Sequence, residues 1–223
     1  VNASKVALSN LTVGYNRESG FIGHTIKAED EQNDIAFPCS EYDRLLLIFS
    51  SGAYKVVPVP EKLFVGEELE YAAVFKKKQI FNIVYRDGAE NFAYVKRFKS
   101  PKFILEKEYH LFPPHKRSRI LLLLLGENKH ARVSLVPSRR ARSNIVEIDF
   151  DQYLIKGASA KGKRVSPRVA RRVVESTERV IKERAAASLP GIESPAETLA
   201  GNSDQFDTEA VSAAVEDDDD DQE

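Results

Sequence analysis

The chain has 223 residues, of which 42% are hydrophobic and 30% charged, an ordinary composition for a soluble globular protein with one sizeable domain. Its longest apolar run, residues 120–125, is too short for a membrane helix, and its first residues lack the regions of a signal peptide. The single cysteine, Cys39, excludes an internal disulfide and a cysteine-based zinc site. We therefore expect a cytoplasmic protein with no membrane partner.

The net charge of −1 conceals three segments of very different charge. Residues 1–100 carry 13 basic and 13 acidic side chains, whereas residues 101–184 carry 20 basic and 9 acidic ones. Residues 185–223 contain 12 acidic side chains and neither Lys nor Arg. This asymmetry favours a polyanionic partner for the basic middle of the chain, followed by an acidic tail.

Three stretches of strand-forming residues, each interrupted by a turn signal, predict β-hairpins over 43–59, 79–98 and 118–137. A lone hairpin is marginally stable in water, so these units are expected to pack against one another. The turn signals are Ser51-Gly52, Asp87-Gly88 and Gly126-Glu127-Asn128.

A second phrase, an aromatic or aliphatic pair in a glycine- or acid-bearing segment, recurs between the hairpins. Its landmark residues are 40–51 residues apart, a period that with about four strands per unit is typical of the blades of a propeller-like all-β array. About four units fit in residues 3–165, so we predict an all-β domain over 1–165. The phrase occupies 20–27, 63–75, 102–112 and 153–165.

The pattern changes at Ser166, which can cap a helix that has Pro167 in its first position. Valines that follow at helical spacing predict an amphipathic helix over 167–187, within a segment 166–188. Residues 189–223 are too polar to bury a core, so we predict a disordered acidic tail. This tail either keeps the chain soluble or competes with a polyanion for the basic surface.

The stretch 156–164, "KGASAKGKR", has the glycine and lysine spacing of a nucleotide-binding P-loop. A P-loop needs Ser or Thr after its lysine to hold Mg²⁺, and a helix that starts at that lysine; here Arg164 follows, and the predicted helix starts too late. The four histidines are scattered, with no nucleophile elbow nearby. We therefore predict no ATP site, no active site and no cofactor in this chain.

Basic clusters recur at or beside the predicted strand ends, once or twice per repeat. In a blade array, equivalent positions fall on one rim, where a cationic track would bind the backbone of duplex DNA without reading its sequence. Neighbouring aromatic residues are core residues by alternation, which favours duplex over single-stranded DNA. The alternative is an interaction module that binds an acidic protein. The candidate contacts are Lys76, Lys77, Lys78, Lys96, Arg97, Lys99, Arg139, Arg140, Arg142, Lys156, Lys161, Lys163 and Arg164.

Several long phrases between residues 3 and 165 resemble the C-terminal domain family of the A subunits of bacterial topoisomerase IV and gyrase. The resemblance implies a β-pinwheel of about four blades that exchange strands, with a basic rim that binds and bends DNA. Fewer blades than the family's usual five or six imply an open or incomplete disc. The phrases are "YNRESGFIGHTIK", "YDRLLLIFSSGAYKVVPVPEKLFVG", "YAAVFKKK", "IFNIVYRDG" and "YVKRFKSPKFILEKEYHL".

The resemblance also implies a part in an ATP-dependent type II topoisomerase that decatenates and relaxes DNA in the bacterial nucleoid. The catalytic tyrosine would lie elsewhere in the A subunit and the ATPase in the B subunit, so Mg²⁺ and ATP would be used by the rest of the enzyme. Gyrase has a basic glycine-rich box for chiral wrapping, and its nearest equivalent here, 156–163, is degenerate. This departure favours the topoisomerase IV branch of the family.

Overall fold

The computed structural model describes residues 11–30, 33–139 and 141–176. These residues form sixteen strands and one short 3-10 turn, Phe150–Gln152, which confirms the all-β prediction. The strands are β1 (Leu11–Asn16), β2 (Phe21–Gly23), β3 (Ile35–Cys39), β4 (Arg44–Phe49), β5 (Ala53–Pro58), β6 (Leu63–Phe64), β7 (Leu69–Val74), β8 (Ile80–Arg86), β9 (Ala93–Lys99), β10 (Tyr109–His110), β11 (Arg119–Leu125), β12 (His130–Leu135), β13 (Ile145–Asp149), β14 (Ile155–Lys156), β15 (Lys163–Arg164) and β16 (Ala170–Ser176).

The described residues form four sheets, each built on an antiparallel hairpin. In every sheet a later strand returns to pair with the first strand of the hairpin. Sheet 1 has the order β3-β1-β2-β6, sheet 2 the order β10-β5-β4-β7, and sheet 4 the order β13-β12-β16. Sheet 3 has the order β11-β8-β9-β14, with β15 also paired to β9.

Neighbouring sheets exchange strands in a regular way. After the hairpin of sheet 2 the chain crosses back to sheet 1, adds β6 beside β2, and returns as β7. After the hairpin of sheet 3 it adds β10 to sheet 2, and after that of sheet 4 it adds β14 and β15 to sheet 3. We call β6, β10 and β14–β15 the return strands. Three of the four phrases found in the sequence contain these return strands, whereas the first phrase, 20–27, contains β2 of an ordinary hairpin.

Alternating side chains of the central strands feed the cores on both sides of a sheet. In β4, Leu45 and Leu47 pack into the core shared with sheet 1, whereas Leu46 and Ile48 pack into the core shared with sheet 3. A third core joins sheets 3 and 4 through residues such as Val84 of β8. Burying each such leucine stabilises the fold by about 1.5–3 kcal/mol.

Within the described residues, no helix is long and apolar enough to cross a membrane.

The predicted hairpins over 43–59 and 79–98 are confirmed as β4–β5 and β8–β9. The predicted hairpin over 118–137 is wrong, because β11 pairs with β8 of sheet 3 whereas β12 pairs with β13 and β16 of sheet 4. The leucine run of β11 meets two cores, since Leu123 packs between sheets 2 and 3 and Leu124 between sheets 3 and 4. A strand that is apolar on both faces carries no alternation from which its partner could be inferred.

The predicted helix over 167–187 is wrong for residues 170–176, which form β16. This strand pairs with β12 from His130↔Ser176 to Leu135↔Ala170, so it belongs to sheet 4. The Ser166 hydroxyl does accept a bond from the Arg168 N–H (3.1 Å), but the chain then extends, because β-branched valines suit a strand that pairs with a neighbour. The rest of the predicted helix and the predicted tail, 189–223, lie outside the described residues.

Candidate nucleic-acid interface

Ten of the thirteen predicted phosphate contacts are exposed at strand ends and turns. Arg140 lies outside the described residues, and the side chains of Lys96 and Arg97 are buried in sheet 3. The exposed candidates are Lys76, Lys77, Lys78, Lys99, Arg139, Arg142, Lys156, Lys161, Lys163 and Arg164.

Lys96 is only 2% exposed and is removed from the candidate interface. Its ammonium donates hydrogen bonds to the carbonyl oxygens of Leu111, just after β10, and Ala158, just after β14. Burial, together with the nearby charge of Lys156, lowers the pKa of this ammonium to about 8. The side chain therefore ties two return strands to β9 from inside the fold, where it cannot contact a phosphate.

Arg97 is removed for a similar reason. Its side chain is 9% exposed, and its guanidinium forms an ion pair with the carboxylate of Asp151 in the 3-10 turn after β13. A guanidinium held this way links sheet 3 to the segment that follows the sheet 4 hairpin. Because cores cover both faces of β9, a charged residue in this strand is not necessarily exposed. The sequence pattern therefore could not distinguish the buried Lys96 and Arg97 from the exposed Lys99.

Three segments bring lysines to one end of sheet 3. Ser100 donates its hydroxyl to the Lys76 carbonyl and its N–H to Gln79 (2.9 Å), so the 76–79 turn lies beside the end of β9. Lys99 pairs with Ile80 at this end, and β14 runs parallel to β9 with Lys156 opposite Phe98. We call Lys76, Lys77, Lys78, Lys99, Lys102 and Lys156 the lysine cluster.

A second basic group lies on and beside β15, along the first half of β9. Each of its three cations lies over an aromatic ring at 5.0–5.7 Å, so these rings are already covered and are poor platforms for unpaired bases. Lys161 also forms an ion pair with Glu90 at 2.9 Å, and this hydrogen bond raises the pKa of the Lys161 ammonium. The pairs are Lys161 with Tyr94, Lys163 with Tyr153, and Arg164 with Phe92.

The stretch 156–164 forms a strand–turn–strand unit, not the strand–loop–helix of a P-loop. Both β14 and β15 pair with β9, and β16 is the next regular element. A Cβ at Gly162 would lie 2.7 Å from the Val95 carbonyl and 3.0 Å from the Tyr85 ring. This glycine therefore serves the close packing of β15 on β9, and its N–H donates to the Tyr85 hydroxyl (3.0 Å).

Three arginines of the segment 166–176 were missed because a helix was predicted there. The Arg168 guanidinium donates to the Asn144 side chain (2.7 Å) and the Ser143 carbonyl (2.6 Å), which fixes the loop between β12 and β13. Arg171 and Arg172 are exposed on β16, an edge strand of sheet 4. They belong to the same sheet as the loop that carries Arg139 and Arg142. The two arginines of "ARRVV" can be assigned to an exposed strand only once the pairing of β16 with β12 is known.

Most of the exposed candidate cations form no ion pair with another described residue. Of the ten, and within the parts of the chain that the structure describes, Lys161 alone forms an ion pair. The remaining ion pairs of the described residues use other cations, such as Lys129 with Glu175 and Arg132 with Glu147. Cations without a carboxylate partner raise the local positive potential and attract polyanions.

The family comparison decides what kind of domain this is. The model of the family described as topoisomerase C-terminal domain, Bacteroidota, matches residues 12–178. The chain belongs to this family. The resemblance seen in the sequence is thus confirmed, and the match of this topoisomerase C-terminal domain extends past residue 165, through β16.

Two known proteins are similar to this domain. It is 30% identical over 174 residues to the A subunit of DNA topoisomerase 4 from Borreliella burgdorferi, an alignment that covers 74% of this chain and 25% of the relative. The chain thus spans about a quarter of that protein's length. The crystal structure of the C-terminal domain of DNA topoisomerase IV aligns with a TM-score of 0.47 at 11% identity, over 85% of this chain and 69% of that one.

Proposed function

We propose that this topoisomerase C-terminal domain binds and bends duplex DNA on its exposed cations. It thereby presents a DNA segment to a type II topoisomerase for ATP-dependent decatenation or relaxation. The observation that carries the proposal is that nine of the ten exposed candidate cations have no carboxylate partner among the described residues. Covered aromatic rings favour backbone contact over base stacking, so the domain holds DNA without reading its sequence.

The proposed partners are the B subunit, which carries the ATPase, and the catalytic core of the A subunit. The four sheets with their return strands correspond in this proposal to the blades of a β-pinwheel. Mg²⁺ and ATP act in those other parts of the enzyme, and this domain contributes binding and bending. Its interlocked sheets suit that task, because a bent duplex must be held by a surface that does not deform with it.

Binding to duplex DNA should weaken steeply with salt, because each phosphate neutralised by a lysine or arginine releases counterions. We expect log Kd to change with log salt by a slope of about 5, and two duplexes of unrelated sequence to differ by less than about threefold. Fluorescence anisotropy with a labelled 30-base-pair duplex measures both. Absence of duplex binding at low salt by the chain lacking residues 190–223 would refute the proposal. A nuclease-resistant complex with an acidic protein would instead favour the interaction module.

The acidic tail provides a second test. Residues 190–223 contain 12 acidic side chains and no basic one, so they can compete with phosphate for the cations. Deleting them should tighten duplex binding roughly threefold or more at low salt, and the gain should vanish at high salt as charges are screened. A full-length variant with 216–221 neutralised to Gln and Asn is the matched control. If deletion tightens binding but neutralisation does not, competition by charge is wrong.

A further inference from the structure

A cleft of about 570 Å³ lies where return strands meet the end of β9. One wall comes from β9 and the residues after it, with Lys99 and Lys102, and another from Lys156 and the turn after β14. Tyr109 of β10 lines it as well and stacks on Tyr54 of β5 at 5.4 Å, which gives this side a rigid backing. Two sheets thus build the cleft, and the exchange of strands between neighbouring sheets creates it.

The lining of the cleft is positive. Three lysines, Lys99, Lys102 and Lys156, line it together with His110, and no Asp or Glu is among its lining residues. Outside the lining, the Glu108 carboxylate lies 3.8 Å from the His110 ring nitrogen. Like charges gathered in a concavity repel one another, and low-dielectric walls focus their field on an anion that enters.

A fourth cation lies behind this lining. The Lys96 ammonium donates to the carbonyl of Ala158, a residue of the cleft wall, and burial and then, as the smaller cause, the charge of Lys156 lower its pKa. An anion between the lysines would relieve this repulsion and favour the charged form of Lys96. Ser159 adds a hydroxyl group to the lining that can donate a hydrogen bond to an oxyanion, whereas the Ser100 hydroxyl is already donated to the Lys76 carbonyl.

We propose that this cleft is a phosphate-binding site that holds a backbone phosphate of the duplex where it crosses from sheet 2 to sheet 3. The inference rests on the proposed function for the source of the phosphate, although a free phosphate compound offers the same chemistry. It distinguishes the cleft lysines from the other exposed cations, which contact DNA on an open surface. The duplex is then anchored at a defined position on the domain.

The first test compares two double variants with equal loss of charge. Lys99→Gln with Lys156→Gln removes two cleft cations, and Lys27→Gln with Lys62→Gln removes two exposed cations of the sheet 1 region. At about 0.1 M salt we expect the cleft variant to bind duplex roughly 20-fold more weakly and its salt slope to fall by about 1, for the one phosphate that the cleft holds, with less than threefold change for the control. Equal losses in both variants would overturn the cleft proposal and leave general backbone binding intact.

The second test locates the ligand by acylation of lysine amines in the full chain, followed by mass spectrometry. Duplex DNA should protect Lys99, Lys102 and Lys156 but not Lys27 or Lys62. Protection of the cleft by pyrophosphate in addition to DNA supports the same phosphate site for free compounds. Protection by pyrophosphate without any duplex binding supports the cleft and refutes the proposed function. Duplex binding that leaves all three cleft lysines reactive overturns the cleft and keeps the proposed function.

Discussion

Gly52→Ala is expected to lower the free energy of unfolding by about 2–4 kcal/mol, the sum of backbone strain and overpacking. Gly52 has φ +84° in the turn between β4 and β5, a backbone conformation that residues other than glycine adopt only at a cost in free energy. A Cβ there would lie 2.3 Å from the ring of Phe112, which is 2% exposed and stacks on Tyr85 at 4.3 Å. The ring cannot move aside without disturbing the core between sheets 2 and 3.

Gly126→Ala is the matched control, because this turn glycine has φ +88° but no atom within 4 Å of the position that an alanine Cβ would take. Only the strain remains there, so we expect a loss of about 1 kcal/mol. Urea denaturation of both variants and the wild type, followed by circular dichroism, gives the two differences. If the two substitutions destabilise the domain equally, contact with Phe112 has no energetic weight and the steric part of the prediction is wrong.

Local patterns were sufficient where strands that pair are also neighbours in the chain. The hairpins β4–β5 and β8–β9 could be predicted from strand-forming runs around Gly52 and the Asp87-Gly88 turn. The exchange of strands could not, because it pairs segments far apart in the sequence, such as Lys163 with Val95. Three of the four recurring phrases contain the return strands, but the spacing of the phrases indicated only a repeat length and did not show which strand each return strand pairs with.

The helix prediction was wrong at β16 because the valines of this segment fit both a helix and a strand. Val169, Val173 and Val174 suit one face of a helix, yet the same β-branched residues favour a strand as soon as a partner is available. The partner is β12, about forty residues earlier, with Val173 opposite Val133. A prediction from the segment alone has no access to this pairing. The third predicted hairpin failed in the same way, because the partners of β11 and β12 lie in different sheets.

The site could be predicted by charge but not by geometry. Most of the predicted cations are exposed, since lysines and arginines in turns remain in solvent. The burial of Lys96 and Arg97 could not be foreseen, because β9 is a central strand with cores on both faces. The cleft also escaped prediction, since Lys99 and Lys156 meet only through the parallel pairing of β14 with β9. Residues missed in this way are those whose role depends on strand exchange.

Lys96→Met should make the unfolding free energy of the domain less dependent on pH than that of the wild type. The folded pKa of Lys96 is about 8, below its ordinary value of 10.5. Between these values the unfolded chain keeps a proton that the folded chain has released, so the wild type gains stability as pH rises. Relative to Lys96→Met, this gain should amount to about 3 kcal/mol over the whole window, of which about 2 kcal/mol falls between about pH 7.5 and 9.5.

Urea denaturation of both proteins at several pH values measures this difference, and other titrating groups common to both largely cancel. The methionine leaves the carbonyls of Leu111 and Ala158 without their donor, which costs about 1–3 kcal/mol at every pH and does not alter the slope. Lys156→Gln is the control: it removes the smaller cause of the low pKa, so the pH dependence should keep its sign and become slightly weaker. A difference between wild type and Lys96→Met that stays flat with pH would show that the buried ammonium keeps its ordinary affinity for the proton. In that case the hydrogen bonds from the ammonium to the two carbonyl oxygens offset the whole free-energy cost of burying its charge.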